Sequence, residues 1–258
     1  MNCLFGNTGL VGSNIADQMM MGHHFKGRDY FAKLINTKNS DQFVGEFDTV
    51  VFCGARAEKW KANKNPQEDA SHINDLIIKL KQIKCKKIYL ISTIDVYDKT
   101  IPRQNEDNHA YTNETYGSNR RLLEKYCLDN FNCTVVRLPA LFGKNLKKNF
   151  LFDVLNGNSL EAFNPDSKFQ WYNLKSISRD IFYTSENKGK IINYFSENIS
   201  IRELLNAINR EDLIPQLKGA IKVDYNFCSK YGLVPKQTIL QEIKEFYEKN
   251  SMHNNNKQ

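Results

Sequence analysis

Tyr116 and Arg120 stand four residues apart in a segment that could transfer protons. Apolar spacing predicts a helix from about residue 116 to 131, so both side chains project from one face. A free phenol has a pKa of about 10, and a nearby cation lowers that pKa by favouring the phenolate. Tyr116 could therefore act as a general base. The alternative is an exposed tyrosine and a solvated arginine on an amphipathic helix.

Two further polar residues follow a predicted strand at residues 87–91. Thr93 could hydrogen-bond the same substrate oxygen as Tyr116. Asp95 comes two residues later, and in an extended segment its side chain would point to the same side. Asp95 could also cap the loop that follows.

A glycine-rich turn follows the first predicted strand, at residues 1–5. Gly6, Gly9 and Gly12 are spaced for a tight turn, for close approach of a pyrophosphate and for close packing of helix on strand. A helix is expected to begin here, so the N–H groups of Leu10 and Val11 could bind phosphate oxygens. The pattern predicts a dinucleotide site, and its alternative is a turn that binds nothing.

A second group of cofactor contacts is predicted where the strand at residues 48–53 ends. It comprises Cys53, Gly54, Ala55 and Arg56.

The choice between NAD and NADP depends on the end of the second strand, which we expect near Lys26. Arg28 could pair there with a 2′-phosphate, whereas Asp29 could accept a hydrogen bond from a ribose 2′-hydroxyl. We predict NAD or NADP as cofactor, with a slight preference for NADP.

These residues require a framework of alternating strands and helices. A helix is expected to begin at Pro66, with Ile73, Leu76, Leu80 and Ile83 at helical spacing. The alternation predicts an α/β fold with a doubly wound, Rossmann-type parallel sheet. We expect a dinucleotide-binding domain at 1–143, with part of its sheet completed later in the chain. A smaller α/β substrate lobe at 144–250 and a disordered tail at 251–258 would follow.

Composition excludes several other classes of protein. The 258 residues carry a net charge of +7, but the basic residues are scattered and no nucleic-acid motif accompanies them. No apolar run has the length of a membrane span, and the six cysteines form no CxxC pair. We therefore expect a cytoplasmic protein with reduced thiols and with no metal, nucleic-acid partner or membrane contact.

Taken together, these motifs resemble the extended, nucleotide-sugar-modifying branch of the short-chain dehydrogenase/reductase superfamily. The resemblance rests on the GxxGxxG turn, the segment from Ile91 to Tyr97, the segment from Tyr116 to Glu124, and Val135 to Gly143. It departs at Arg120, where the family has lysine, and at Ile94, where dehydratases of the branch carry an acidic residue. The segment between Gly12 and Asp48 is also shorter than the matching segment of the larger epimerases, as it is in compact ketoreductases of the branch.

The resemblance implies an NAD(P)-dependent ketoreductase or dehydrogenase that acts on a nucleotide-linked sugar, as in surface-polysaccharide or glycan precursor synthesis. An epimerase is the alternative enzyme, and a cofactor-binding protein with little catalysis is the alternative of another class. The resemblance places Thr93, Asp95, Tyr116 and Arg120 in the catalytic site, with Asp95 where dehydratases of the branch hold a base. It places Arg56 near the cofactor phosphates, although a surface arginine is the competing interpretation. It places Asn149, Phe150 and Gln170 against the substrate and implies a homodimer.

Overall fold

A computed structural model describes residues 1–20, 30–107, 110–184 and 190–255. The chain divides into two compact units. The first unit comprises Met1–Asp98, Glu106–Leu138 and Lys175–Asn193, and the second comprises Lys99–Asn105, Pro139–Leu174 and Tyr194–Gln258. This division differs from the boundary expected after residue 143. The chain leaves the first unit after Leu138 and returns to it at Lys175, because the last strand of the first unit's sheet comes late in the sequence.

Strands of the first unit form one sheet of six, and all of its neighbouring pairs are parallel. Its strands are β1 (Cys3–Phe5), β2 (Lys33–Ile35), β3 (Gly45–Phe52), β4 (Ile83–Thr93), β5 (Cys133–Leu138) and, after three strands of the second unit, β9 (Ile191–Asn193). The order across the sheet is β2-β1-β3-β4-β5-β9. This confirms the predicted Rossmann-type α/β fold. It also brings the carboxyl ends of β1, β3 and β4 to one edge of the sheet.

Helices of the first unit follow these strands. They are α1 (Leu10–Met20), α2 (Lys59–Lys64), α3 (Pro66–Leu80), α4 (Thr115–Asn130) and, after one helix of the second unit, α6 (Ile177–Arg179). Helix α3 begins at Pro66 as predicted, but it ends at Leu80. Ile83, which was expected on that helix, instead opens β4 and pairs with Gly45 of β3. An apolar side chain at position 83 is compatible with a helix or a strand, and the pairing with β3 places this residue in the strand.

The strand beside β1 lies later in the chain than predicted. Lys33 pairs with Cys3, and Ile35 pairs with Phe5. Arg28 and Asp29 therefore precede this strand instead of following it, and both lie outside the described residues. The cofactor contacts assigned to them rested on a strand ending near Lys26, which is also outside the described residues.

A buried ion pair holds α4 against the sheet. Arg137 of β5 donates to Glu124 of α4 through Nε at 3.0 Å and through a terminal nitrogen at 2.6 Å. Ser92 of β4 donates a further hydrogen bond of 2.6 Å to the same carboxylate. Both charged side chains are fully buried, and a buried pair is tolerated only when its polar atoms are matched in this way. The middle of α4 is thereby held against β4 and β5.

The second unit has a separate apolar core beneath two small sheets. Its strands β6 (Ala140–Phe142) and β8 (Trp171–Asn173) run parallel, and β7 (Lys168–Phe169) and β10 (Ile199–Ser200) run antiparallel. Its helices are α5 (Phe150–Asn156), α7 (Ile201–Ala207) and α8 (Lys236–Asn255). Helix α8 continues to Asn255, into the segment from 251 that was expected to be disordered. Within the described residues, no helix is long and apolar enough to cross a membrane.

Candidate functional site

The turn between β1 and α1 needs glycine at two positions for its own folding. Gly6 has a φ of +87°, and a Cβ there would lie 2.4 Å from the Cys53 carbonyl oxygen. A Cβ on Gly12 would lie 2.2 Å from the Gly6 carbonyl oxygen. Such distances are well inside van der Waals contact, so any side chain at either position would displace backbone.

Gly9 differs from these two glycines. A Cβ there would meet only the Gly6 carbonyl oxygen, at 3.4 Å, and the backbone is not in the left-handed region. The fold therefore does not itself require glycine at this position. Immediately after it, the N–H groups of Leu10 and Val11 have no partner within the helix, and the first turn of α1 contains no acidic residue. These features fit a dinucleotide pyrophosphate, which would need the space that a side chain at Gly9 would occupy.

The end of β2 lies against this turn. The backbone N–H groups of Gly6 and Asn7 both donate to the Ile35 carbonyl, at 2.7 and 3.2 Å. The Asn36 amide donates to the Asn7 side chain at 3.4 Å. Asn36 thus occupies the position after the second strand where dinucleotide-binding folds contact the adenosine ribose. The sequence continues with Thr37 and an exposed Lys38, without an acidic residue.

The loop after β3 packs closely on the turn. The Cys53 N–H donates to the Phe5 carbonyl at 2.8 Å, and a Cβ on Gly54 would lie 2.7 Å from the Phe5 ring. Ala55 packs against the apolar core of this unit. The Arg56 side chain forms an ion pair with Glu68 at 3.0 Å and is half exposed. Its guanidinium therefore contacts α3 at the surface.

Tyr116 lies in the first turn of α4, with its side chain buried. Thr93 lies beside its hydroxyl and lowers the pKa of the phenol. That the two side chains bind one substrate oxygen stays a prediction. Its backbone N–H donates to the Asn63 side chain of α2 at 3.0 Å. Gly117 allows this placement, because a Cβ there would lie 2.1 Å from the Asp95 carbonyl oxygen. The phenol and the end of β4 are thus held together by main-chain packing.

Asp95 does not lie in an extended segment. Residues Ile94–Val96 form a 3₁₀ turn, and the Thr93 hydroxyl accepts a hydrogen bond of 3.1 Å from the Asp95 N–H. Thr93, instead of Asp95, is therefore the residue that caps this turn. The Asp95 carboxylate pairs with Lys59 of α2 at 2.5 Å. Lys59 also lies 3.4 Å from the Glu114 carboxylate.

Burial raises the pKa of Tyr116 to about 12, and the Asp95 carboxylate adds to this increase. Arg120, Lys59 and Thr93 act in the opposite direction and lower the pKa. The expected net decrease below the pKa of a free phenol is therefore wrong for the protein alone. A buried phenolate loses hydration, and the nearby cations do not fully compensate for that loss.

Arg120 is not a solvated surface residue, because only 3% of its side chain is exposed. Its guanidinium pairs with Asp69 of α3 and donates to the Arg56 backbone carbonyl. The carboxylate of Asp69 also accepts a hydrogen bond of 2.8 Å from Asn119. The guanidinium carbon lies 4.1 Å from the centre of the Tyr116 ring, in cation–π geometry. Arg120 therefore places its charge against the ring face and links α4 to α3 and to the loop after β3.

Sequence reasoning missed Lys59, Asn63 and Asp69. Each contacts a residue that is distant in the chain, such as Tyr116 for Asn63 and Arg120 for Asp69. Lys59 and Asn63 lie on a helix of six residues, which is too short for a periodic pattern. Among 36 lysines and arginines, no local signal distinguishes Lys59.

The three predicted substrate residues all lie in the second unit. Asn149 caps α5 by accepting from the Phe152 N–H at 3.1 Å, and it donates to the Leu141 carbonyl at 2.7 Å. Phe150 is buried in the apolar core of that unit. Gln170 donates to the Ser196 and Phe227 carbonyls and accepts from the Phe227 N–H. These contacts give all three side chains roles in the packing of the unit.

Solved structures with this fold include nucleotide-sugar enzymes and a different dehydrogenase. UDP-N-acetylglucosamine 4-epimerase from Methanobrevibacter ruminantium, in complex with UDP-N-acetylmuramic acid, has 16% identity and a TM-score of 0.67, with 96% of each chain covered. dTDP-4-dehydrorhamnose reductase from Yersinia enterocolitica has 12% identity and a TM-score of 0.68, covering 96% of this chain and 98% of its own. L-threonine dehydrogenase from Phytophthora infestans has 14% identity and a TM-score of 0.64, covering 100% and 99%.

At these identities the similarity supports the fold and not the substrate. A comparison with curated protein sequences gives no significant match. The profile of a family described as the NAD dependent epimerase/dehydratase family matches residues 3–158. That range contains the glycine turn, the loop after β3, Thr93 and Tyr116. The chain belongs to the NAD-dependent epimerase/dehydratase family.

Proposed function

We propose that the protein is an NAD(P)-dependent oxidoreductase that interconverts a hydroxyl and a carbonyl group on a nucleotide-linked sugar. The observation that carries this proposal is the buried Tyr116 phenol, which has Thr93 beside its hydroxyl, the Arg120 guanidinium 4.1 Å from its ring centre and the Lys59–Asp95 ion pair nearby. The phenol lies beyond the end of β4. The glycine turn follows β1 on the same edge of the sheet. A proton-transfer group and a dinucleotide cradle on one edge are the two parts that such a reaction needs.

In this reaction the cofactor would carry the hydride, and side chains of this protein would transfer the proton. When bound, NAD(P) would supply the hydride acceptor or donor for this reaction. In the oxidation direction, the substrate O–H proton moves to the ionised Tyr116 oxygen while the adjacent C–H bond breaks, and the C–O bond becomes a carbonyl. In the reduction direction, Tyr116 returns that proton to the oxygen. Thr93 holds the substrate oxygen beside Tyr116, and Arg120 and Lys59 favour the phenolate.

The cofactor would be held by Gly6, Gly9 and Gly12 with the first N–H groups of α1, and by the loop from Cys53 to Arg56. We infer a preference for NADP over NAD. This inference rests on the residues that follow β2 and not on Arg28. Asn36, Thr37 and Lys38 follow β2 without an acidic side chain that could accept from a ribose 2′-hydroxyl. Lys38 supplies a cation for a 2′-phosphate.

An epimerase is the second candidate, since structural neighbours include a UDP-N-acetylglucosamine 4-epimerase. The same proton exchange at Tyr116 would then occur twice, with opposite directions of hydride transfer. A cofactor-binding protein with little catalysis is a third candidate. It is favoured by the increased pKa of Tyr116 and by the commitment of Arg120 to Asp69.

One assay separates these functions. Purified protein is incubated with NAD, NADP or their reduced forms and a panel of UDP- and dTDP-linked sugars and keto-sugars. Nicotinamide absorbance and product masses are followed together. A stoichiometric change in nicotinamide absorbance supports the oxidoreductase, and isomeric products without such a change support the epimerase. Tight cofactor binding with neither outcome supports the binding protein.

We also propose a homodimer formed through α3 and α4. Ile78 of α3 is 54% exposed and Leu122 of α4 is 48% exposed, although the opposite sides of both helices are buried. Exposed large apolar side chains on neighbouring helices are typical of a self-association surface. Light scattering at micromolar concentration should give a dimer mass, and Leu122→Glu should give a monomer.

A further inference from the structure

Lys59 occupies an electrostatic position that no motif predicts. Its ammonium lies 2.5 Å from the Asp95 carboxylate and 3.4 Å from that of Glu114, and 29% of its side chain is exposed. Helix α2, which carries it, also caps the start of α4 through Asn63 and the Tyr116 N–H. The same helix therefore positions the Tyr116 backbone and places an ammonium beside Asp95, the carboxylate that raises the pKa of the phenol.

Arg120 lowers the pKa of Tyr116 more than Lys59 does, but its guanidinium is also part of the packing between helices. It is buried, its guanidinium is shared between Asp69 and the Arg56 carbonyl, and its carbon lies over the Tyr116 ring. The charge of Arg120 is thus largely balanced by a buried carboxylate. Because Lys59 is paired with Asp95, it instead cancels the negative charge that opposes ionisation of the phenol.

Resting on the proposed function, we infer that Lys59 is a positioning residue for proton transfer. It acts from α2 by neutralising Asp95 and adding positive charge beside Tyr116, while Arg120 holds α4 to α3. The charge that the related enzymes obtain from a lysine on the tyrosine's own helix is thus divided between two helices. The groups that face Tyr116 are Asp95 and Thr93 at the end of β4, Arg120 on α4 and Lys59 on α2.

The test compares Lys59→Met with Lys61→Met, a matched control on the same helix. Lys61 pairs with Glu68 at 3.4 Å, away from Asp95. The first measurement is the pH dependence of kcat/KM for substrate oxidation. We expect Lys59→Met to move the midpoint of the rising limb upward by about one pH unit and to reduce the rate about tenfold below it. Lys59→Arg should restore most of the rate, and Lys61→Met should match wild type.

The second measurement does not depend on turnover. Tyrosine labelled at the ζ-carbon reports ionisation of the phenol by NMR, and Tyr116→Phe identifies the signal of Tyr116. We expect Lys59→Met to raise the pH at which this signal moves, and Asp95→Asn to lower it. In the Asp95→Asn background the effect of Lys59→Met should be smaller, because the two charges act through each other.

The outcomes separate this inference from the proposed function. Identical Tyr116 titrations and pH profiles in Lys59→Met and Lys61→Met would overturn the role of Lys59 even in an active enzyme. If wild-type protein binds no dinucleotide and turns over no substrate, the proposed function fails. The Tyr116 signal, recorded up to the highest pH at which circular dichroism shows folded protein, then still decides whether Lys59 controls the phenol.

Discussion

The glycine turn after β1 and the phenol site after β4 lie on one edge of the same sheet, but they are built from different parts of the chain. The turn is held by main-chain contacts, and at Gly6 and Gly12 these contacts leave no room for a side chain, since a Cβ on Gly12 would lie 2.2 Å from the Gly6 carbonyl oxygen. The phenol site consists of side chains from α2, α3 and α4 in an ionic network. A main-chain site responds to added volume, whereas a side-chain network responds to changes in charge.

The largest effect should come from removing the proton-transfer group. We expect Tyr116→Phe to reduce turnover by about 10²–10⁴-fold, because no other group would exchange the substrate proton. Cofactor affinity should stay close to wild type, since the glycine turn is unchanged. Steady-state kinetics and fluorescence titration with NAD(P)H measure the two quantities. Full activity in the folded variant would remove Tyr116 from the mechanism.

The ionic network should respond strongly to loss of one charge. Arg120→Met leaves the buried Asp69 carboxylate without its cation, which should cost about 3–5 kcal/mol in the free energy of unfolding. Adding Asp69→Leu should recover much of that loss, because it removes the unpaired charge. Urea unfolding of both variants measures the difference. Equal stability of wild type and Arg120→Met would show that the pair does not hold α4 to α3.

The glycine turn offers a sharper separation of folding from binding. Gly12→Ala should destabilise the protein by about 1–3 kcal/mol, because the new Cβ overlaps backbone. Gly9→Ala should leave the melting temperature unchanged and weaken NAD(P) binding about tenfold or more, because the added methyl group fills space only the ligand would need. Calorimetric melting and binding titrations check both. Unchanged dinucleotide affinity in Gly9→Ala would reject the turn as the pyrophosphate site.

These two regions also show what the sequence can predict. The fold of the turn could be predicted, because its glycine spacing, its strand and its helix are contiguous in residues 1–20. Thr93 and Tyr116 could be paired only through the family resemblance. The partner of Arg120 is Asp69, 51 residues away, and the cation beside Asp95 lies on α2. Packing of helices sets those contacts, and no local pattern encodes them.

Strand β2 shows a second cause of error. Its three residues carry little periodic signal, so the predicted strand fell nearer to Lys26 than to Lys33–Ile35. Pairing with β1 determines its position. The position that we propose to select the cofactor therefore changes from Arg28 to Asn36 and Lys38.

The smallest expected effect concerns that position. Lys38→Ala should weaken NADP binding about fivefold and leave NAD binding unchanged, because an exposed cation contributes modestly to binding a 2′-phosphate. Parallel titrations with both dinucleotides at low and moderate salt measure the ratio. Equal losses for NAD and NADP would show that Lys38 does not distinguish them.

The hydrogen bond from the Tyr116 N–H to Asn63 has a consequence for the order of folding events. It joins residues 53 positions apart, and α2 has only six residues, of which Ala62 alone is buried. A helix with so little buried surface opens at low free-energy cost, while the strands beneath it exchange their amide hydrogens slowly. The start of α4 and the environment of its phenol would therefore form after the sheet and be lost before it. Local opening of α2 could then inactivate the protein while its sheet stays intact.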